Sequence, residues 1–549
     1  MIALSTARVR RIAALGAALG VASCTLLGSR EIVQCDADGD CAESPLTQAG
    51  PAECIAHLCA TRVTPLPDAG PPLEGGDGDA AVDAPPMGCK KSADCSDQAQ
   101  ICVSGTCKTL VTDDKGPCPL LANNGVLNSY REDGALIVGV YVYDPRSLGA
   151  EVKAAEAALQ KINEVLPKAN HISAVFCSKA DKFAKASGQA AINHLDSLGV
   201  PLVVGQFEAT ELVALDAKRL AVWSTLGNVP SLQQAGGGSK VRLLVDELQK
   251  LTPGYTAALA EAAVRADKIH ATTYGNTVKI TLVTNGQIES TLLVDQLEAN
   301  EPLLQAGQSS YARSPIELKP DFETVGVPAN LAVAQAVIGA LPQIIIAVGG
   351  DEVSTLMTYV EGPQGWPAAS KRPVWVLSTR GKFTAQALST LAATGTLRTR
   401  VIGVDFAGDR TNQLAYRASI PAGVPQAGSF DNIYDAMFAT AFAAGRASFN
   451  RGDAGAGSLD AAELVRGLDE VLKPSGTGDV TMNAVGQLAP TASAVGTGKT
   501  VFFTGTTGPW LFPDGSRRMG TSYYCFRGPE LNYYVDSAGI ADVLLCQRP

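Results

Sequence analysis

Residues 135–143, Ala135-Leu136-Ile137-Val138-Gly139-Val140-Tyr141-Val142-Tyr143, decide the fold. The run is uncharged and mostly β-branched or aromatic, which predicts a strand buried on both faces. The period then changes. Between Glu151 and Leu166 the apolar residues Val152, Ala155, Leu159 and Ile162 recur at three- and four-residue steps, so one face of a helix is apolar. His171–Phe176 predicts a second strand, 180–198 a second helix, and Pro201–Gly205 a third strand ending at glycine. Glu211–Lys218 reads as helical and Leu220–Ser224 as a fourth strand. Strands that alternate with helices need crossovers, which makes the sheet parallel and covers both its faces.

The alternation restarts at Val278–Val283. A helix follows, then the strand Ile344–Val348, a helix after Gly349-Gly350, and the strands Val374–Leu377 and Val401–Val404. A helix over 432–447 and the strand Val501–Phe503 come later. A restart predicts two α/β lobes rather than one wide sheet, and the late elements predict that the chain crosses between lobes more than once. Lobe one is expected over about 133–272 and 425–495, lobe two over about 273–424 and 496–549. Ligands of open α/β sheets sit beyond the carboxyl ends of the strands, so the cleft between lobes is the expected site.

The chain has 549 residues, 46% of them hydrophobic, enough for two or three domains with a sizeable core. Its net charge is -10, and no long basic run is interleaved with aromatics, which argues against nucleic acid as a partner.

The amino terminus has a different texture. Arg8, Arg10 and Arg11 precede an apolar run, Ile12–Val21, and small residues lead to Cys24. A basic start, a short apolar core and small residues describe a secretory signal, too short to span a bilayer comfortably. With a cysteine at the cleavage point, residues 1–23 resemble a bacterial lipoprotein signal. That resemblance implies lipidation of Cys24 and a mature protein anchored in the cell envelope, facing the periplasm or exterior. Thr25 carries no inner-membrane retention signal, which favours the outer membrane.

Lipidation of Cys24 would leave twelve of the 13 cysteines, an even number that reads as disulfides in an exported chain. Cys35, Cys41, Cys54 and Cys59 form one cluster, in a module spanning 24–60. Cys89, Cys95, Cys102 and Cys107 form a second, in 89–118. Both have five residues between the first two cysteines and four between the last two, with Asp before the second. This predicts a duplicated mini-module whose cross-links supply the order that so few residues cannot. Zinc is the alternative, although structural zinc sites usually pair cysteines more closely. Residues 61–88, rich in Pro, Gly and Asp, read as a linker, so the whole forms a disulfide-rich stalk. Cys118, Cys177, Cys525 and Cys546 remain, with Cys118–Cys177 and Cys525–Cys546 the expected pairs among several that the sequence allows.

Over about 133–549 the chain resembles the type I periplasmic solute-binding proteins, and within them the branched-chain amino-acid receptors of ABC importers. The resemblance rests on Leu136–Tyr141 with Ala154–Glu164, on Gly199–Thr210, on Ser224–Leu232, on Tyr434-Asp435-Ala436-Met437, and on the glycine-spaced Thr504–Gly515. It implies two Rossmann-like lobes joined by a hinge, no catalysis, no cofactor and no metal. The implied partners are a small polar solute, anionic or amino-acid-like, and an importer membrane subunit. The loop after Gly205 would meet the solute through Phe207, Glu208 and Thr210, and the next through Leu226 and Asn228. From lobe two, the segment Val374–Gly381 offers Arg380 where the family often has an acidic residue. Arg380 suits a carboxylate or phosphate and rejects an ammonium, whereas Glu208 repels a carboxylate. Envelope lipoproteins that activate cell-wall synthases resemble the same fold but bind proteins, so a scaffold is the second reading.

Other motifs carry less. Gly496-Thr497-Gly498-Lys499-Thr500 has the end of a phosphate loop but Ser493 at its first glycine, and a strand rather than a helix follows. Asp36, Asp38 and Asp40 alternate like a calcium loop that has Thr47 at its last ligand position. Arg451-Gly452-Asp453 is an adhesion-like tripeptide without supporting context. The four histidines, His57, His171, His194 and His270, are scattered, and no nucleophile elbow or zinc-protease motif occurs.

Overall fold

A computed structural model describes residues 52–55, 58–61, 89–97, 99–112, 116–121, 134–142, 148–178, 187–207, 211–212, 215–225, 240–244, 259, 262–263, 278–284, 297, 309–311, 316–317, 328–362, 366–367, 371–379, 397–406, 430–452, 459–472, 478–483, 485–510, 521–527 and 530–534. The chain divides into two compact units, 1–85 and 86–549. In the first, β1 (Ala52–Ile55) and β2 (Leu58–Thr61) form an antiparallel hairpin that sets Cys54 opposite Cys59. Cys24, Cys35, Cys41 and the aspartate-rich turn lie outside the described residues.

The second unit opens with the other cysteine module. Its hairpin, β3 (Gln100–Val103) and β4 (Thr106–Thr109), turns on Ser104 and Gly105, both in the left-handed region with φ of 49° and 81°. That is the two-residue turn whose twist matches paired strands. Disulfides join Cys89 to Cys102 and Cys95 to Cys107. The sulfurs of Cys89, Cys95 and Cys107 lie within 4.8 Å of one another, but the S–S bonds occupy them and leave no thiolates for zinc.

Lobe one is a six-stranded sheet. Its strands are β5 (Leu120–Leu121), β6 (Leu136–Val142), β7 (Ile172–Ser178), β8 (Leu202–Gly205), β9 (Ala221–Ser224) and β10 (Val241–Leu243), in the spatial order β10-β9-β8-β6-β7-β5. All pairs are parallel except β5 with β7. Helix α1 (Leu148–Val165) covers one face, and α2 (Ser187–Ser197) the other. Between Glu211 and Lys218, where the sequence predicts a helix, the described residues are 3-10 at Glu211 and at Leu215–Ala217 and none is α-helical.

The second cysteine module belongs to this lobe. Ile101 and Leu110 are buried in one cluster with Ala191, Ile192 and Leu195 of α2 and with Leu198 just after it. His194 Nε2 lies 2.8 Å from Leu110 O, and Lys108 Nζ donates to Ser197 O at 2.5 Å. The Cys118–Cys177 disulfide and β5 then fix the following segment along the outer edge of β7. The module expected over 89–118 as part of a stalk packs here against lobe one. A module too small to bury a core completes one against α2, and β5 covers what would otherwise be an open strand edge.

Lobe two repeats the winding. Its strands are β11 (Val278–Thr284), β12 (Ser309–Tyr311), β13 (Ile316–Glu317), β14 (Ile344–Val348), β15 (Val374–Leu377) and β16 (Val401–Phe406). They run in the order β12-β11-β14-β15-β16, with β13 also on β11, all parallel. Helices α3 (Pro328–Ala340) and α4 (Asp351–Glu361) alternate with them. Counted from β6 and from β11, the next parallel strands (β7 in lobe one, β12 and β13 in lobe two) lie on one side, and β8 or β14 lies on the other.

The chain returns to lobe one through α5 (Phe430–Arg451), α6 (Ala461–Val471), β17 (Val480–Met482), α7 (Leu488–Val495), β18 (Val501–Gly505) and β19 (Gly508–Pro509). Val501, Phe503 and Trp510 share a core with α1 and the first sheet. The chain joins the second sheet only at β20 (Thr521–Arg527), antiparallel to β16, followed by β21 (Glu530–Tyr534). The lobe boundary expected at 496 therefore falls after Trp510, because these apolar side chains fill the first core. Cys525 is disulfide-bonded, and Cys546 lies outside the described residues.

One carboxylate organises this return. Asp435 of α5 is fully buried. Its Oδ1 accepts from Thr506 N at 2.8 Å and Thr506 Oγ1 at 3.0 Å, and its Oδ2 from Thr507 N at 2.9 Å and Thr507 Oγ1 at 2.7 Å. Thr506 and Thr507 form the turn between β18 and β19. The approach requires Gly505, where a Cβ would sit 2.2 Å from Oδ2. In lobe two, Glu361 at the end of α4 plays a comparable part. It is buried and meets Arg400 through both carboxylate oxygens at 2.8 and 2.6 Å, with Arg372 and Trp375 Nε1 beside it.

Two outcomes follow. Replacing Asp435 with Ala strands several buried donors, each costing about 1–3 kcal/mol. Urea denaturation followed by tryptophan fluorescence should show a loss of about 3 kcal/mol or more, and Gly505→Ala should also destabilise by displacing the carboxylate. Burial raises the Glu361 pKa, but the hydrogen bonds and charge of Arg400, with Trp375 and Arg372, outweigh it and hold the pKa below its ordinary value. A depressed folded-state pKa gives stability above the unfolded value that is lost as pH falls through the folded value. Glu361→Gln should cost about 3–5 kcal/mol at neutral pH. Its urea midpoint should approach that of the parent as the pH drops through the carboxylate range.

Candidate functional site

The order of each sheet reverses once, between β6 and β8 in lobe one and between β11 and β14 in lobe two. Crevices in open α/β sheets form at such switch points, outside the carboxyl ends of the strands.

In lobe one the switch point is bounded by Val142 at the end of β6 and Gly205-Gln206-Phe207 at the end of β8. A Cβ at Gly205 would come 2.1 Å from Tyr141 O, so glycine permits the strand contact. Phe207 is buried at 2% exposure and stacks on Tyr141, with ring centroids 4.5 Å apart and planes at 16°. It belongs to the core cluster over α2. The Phe207 ring is therefore engaged in packing within the lobe. Tyr141 donates its hydroxyl to Glu211 Oε1 at 2.8 Å, and Glu211 is fully buried. At the end of the adjacent β9, Ser224 and Thr225 are buried. Thr225 N donates to Gly205 O at 2.9 Å, and Asn432 Nδ2 of α5 lies 3.4 Å from Thr225 O.

Glu208, Thr210, Leu226, Asn228 and Arg380 lie outside the described residues. The strands that precede the first four, β8 and β9, are parallel neighbours that end together. Arg380 follows β15 in the other sheet.

In lobe two the switch point is bounded by Thr284 and by Val348-Gly349-Gly350 ahead of α4. The neighbouring ends of β15 and β16 add Ser378, Thr379 and Asp405, all buried. Thr379 Oγ1 donates to Asp405 Oδ1, which also accepts from Phe406 N at 2.8 Å. Ser378 N donates to Ala347 O at 3.1 Å, and its carbonyl accepts from Tyr524 OH at 3.1 Å. Its Oγ, fully buried, has no hydrogen-bond partner among the described residues. A buried hydroxyl without a partner is costly, so the unmet capacity at this strand end is notable.

Glu211, Ser378, Thr379 and Asp405 are absent from the sequence-derived site. For Ser378 and Thr379 a signal was present, two hydroxyls directly after the apolar strand Val374–Leu377. Asp405 interrupts an otherwise apolar strand end in the same way. Glu211 has no local signal, because its partner Tyr141 is distant in sequence. The two described histidines serve structure, His194 at Leu110 O and His171 Nε2 3.2 Å from Leu166 O. The phosphate-loop look-alike turns from α7 into β18, with Thr500 N and Oγ1 on the Asp479 carboxylate at 2.8 and 3.0 Å.

No protein-family model matches the chain. No curated protein matches it. Among solved structures, it is similar to a leucine-binding protein, LivK, from Thermotoga maritima, at 12% identity and a TM-score of 0.49, over 73% of this chain and 99% of that one. It is similar to a branched-chain amino-acid transporter substrate-binding protein from Streptococcus pneumoniae in complex with isoleucine, at 13% identity and a TM-score of 0.46, over 73% and 99%. It is also similar to a solute-binding protein from R. palustris in complex with benzoate, at 13% identity and a TM-score of 0.48, over 73% and 95%. At this level of likeness no residue role and no ligand is carried across.

Proposed function

We propose that the chain is an extracytoplasmic solute-binding receptor without catalytic activity, which takes a small polar solute between its two lobes for import or sensing. The observation that carries this reading is the repeated winding of the two sheets, each with a switch point whose strand ends present glycines, hydroxyls and carboxylates. A solute that contacts both lobes only when they close would stabilise the closed state by that difference in affinity. Thermal denaturation of the mature protein against amino acids, small carboxylates, amides and amines should show one class that raises the melting temperature saturably. The tested protein must retain residues 89–121, since Ile101 and Leu110 complete the lobe-one core.

A second reading, a lipoprotein scaffold for an envelope protein partner, is favoured by one specific observation. Beside the lobe-one switch point, Tyr141, Phe207 and Glu211 are buried against one another. No thermal shift across the solute panel, with retention of a defined envelope protein, would select it.

Attachment through lipidated Cys24, with the outer membrane favoured, belongs to the same proposal. Its support is the sequence Leu19–Cys24 behind the apolar run. Cys24→Ala should move the protein from the detergent phase to the aqueous phase on detergent partitioning, with no lipid mass at the amino terminus of the parent if the proposal fails.

A further inference from the structure

Where the parallel strands of lobe one begin, four cations gather around one carboxylate. Asp196, in the last turn of α2, accepts from Arg219 N at 2.7 Å and lies 3.9 Å from Lys218 Nζ. Lys240 Nζ donates to Lys218 O at 2.5 Å. Lys108 Nζ, from β4 of the cysteine module, donates to Ser197 O beside Asp196. Lys218 and Arg219 lie just ahead of β9 and Lys240 just ahead of β10, so the group occupies the amino edge of the sheet. Arg219 is exposed, and the three lysines are partly exposed. Arg242, nearby on β10, is paired with Asp469 and adds nothing to the excess. On a chain with a net charge of -10, this edge carries a local field of the opposite sign.

The amino-terminal segment enters lobe one beside the same edge. It joins the module at Cys89, which is bonded to Cys102 of β3. Cys107, next to Lys108, is bonded to Cys95. The cross-linked hairpin thus holds Lys108 at the end of α2 and brings the incoming chain to the cationic group. The module's own Lys90 and Lys91 are offset by Asp94 and Asp97.

We propose that the amino edge of lobe one is a membrane-docking surface, and that its partner is a bilayer carrying anionic phospholipid. Ammonium and guanidinium groups donate to phosphate oxygens, and each basic residue near an anionic bilayer adds to its attraction. The choice of a bilayer over a soluble polyanion rests on the anchor reading at Cys24, because a tether keeps this edge close to lipid. Docked in this way, lobe one turns the carboxyl ends of its parallel strands away from the bilayer. Under the receptor reading above, its switch point then opens toward the aqueous envelope space.

Vesicle sedimentation tests the surface without the anchor. The protein lacking residues 1–24, a deletion that removes none of the described residues, is mixed with vesicles of phosphatidylcholine alone or with phosphatidylglycerol in equal amount. It should sediment with the mixed vesicles only. Retention should vanish as salt rises from 0.1 to 1 M, over which the screening length falls from about 10 Å to about 3 Å. Arg219→Gln should weaken binding about fivefold. It should melt with the parent, because the contact to Asp196 is made by the backbone N–H. Arg219→Lys should bind as the parent does. Arg398→Gln, which removes an exposed cation of lobe two, should leave binding unchanged. No sedimentation with anionic vesicles overturns the proposal, as does an equal loss in Arg398→Gln or none in Arg219→Gln. Retention on soluble polyphosphate but not on vesicles replaces the bilayer with a soluble polyanion. The anchor reading fails separately, through the absence of lipid at Cys24 in the full chain.

Discussion

Asp435 accepts hydrogen bonds from two backbone N–H groups and two hydroxyls of one tight turn, and through them fastens the end of the first lobe. The hairpin β18–β19 is short, and its own two pairs could not hold it in place. With the turn fixed on α5, Phe503 and Trp510 reach the core, 5.5 Å apart between ring centroids, and Phe442 of α5 meets Phe503 edge-on. The helix, the hairpin and the first sheet thus form one body despite the long separation between them in sequence. Gly505 is part of the same constraint, since no other residue lets the carboxylate approach so closely.

The cysteine module shows the opposite solution to limited size. It has two cross-links but little interior of its own, and its apolar residues complete the α2 face of lobe one. Disulfides restrict the unfolded chain, while Ile101 and Leu110 contribute burial that only the lobe can provide. Covering the edge of β7 also removes a surface on which another strand could pair.

The two strand-end regions differ in how their polar capacity is used. In lobe one, Tyr141 donates to Glu211 and stacks on Phe207. In lobe two, Thr379 and Asp405 are paired while Ser378 Oγ has capacity left.

Period and composition were enough to determine the α/β alternation, because buried parallel strands such as Leu136–Val142 must be apolar throughout and their crossover helices must show a 3.6-residue period. The restart at Val278 likewise announced a second sheet, and the cysteine spacing announced the modules. Tertiary structure alone decided where those pieces belong. That Val501–Trp510 completes lobe one, that residues 89–121 dock on α2, and that Phe207 packs on Tyr141 all depend on which apolar surfaces meet. Asp435 and Thr506 each stood within a stretch read from sequence, Tyr434–Met437 and Thr504–Gly515, but nothing local linked the two, and nothing local linked Glu211 to Tyr141. Hydrophobic pattern is a local property of the chain, whereas a buried carboxylate is defined by donors that the fold brings to it from elsewhere.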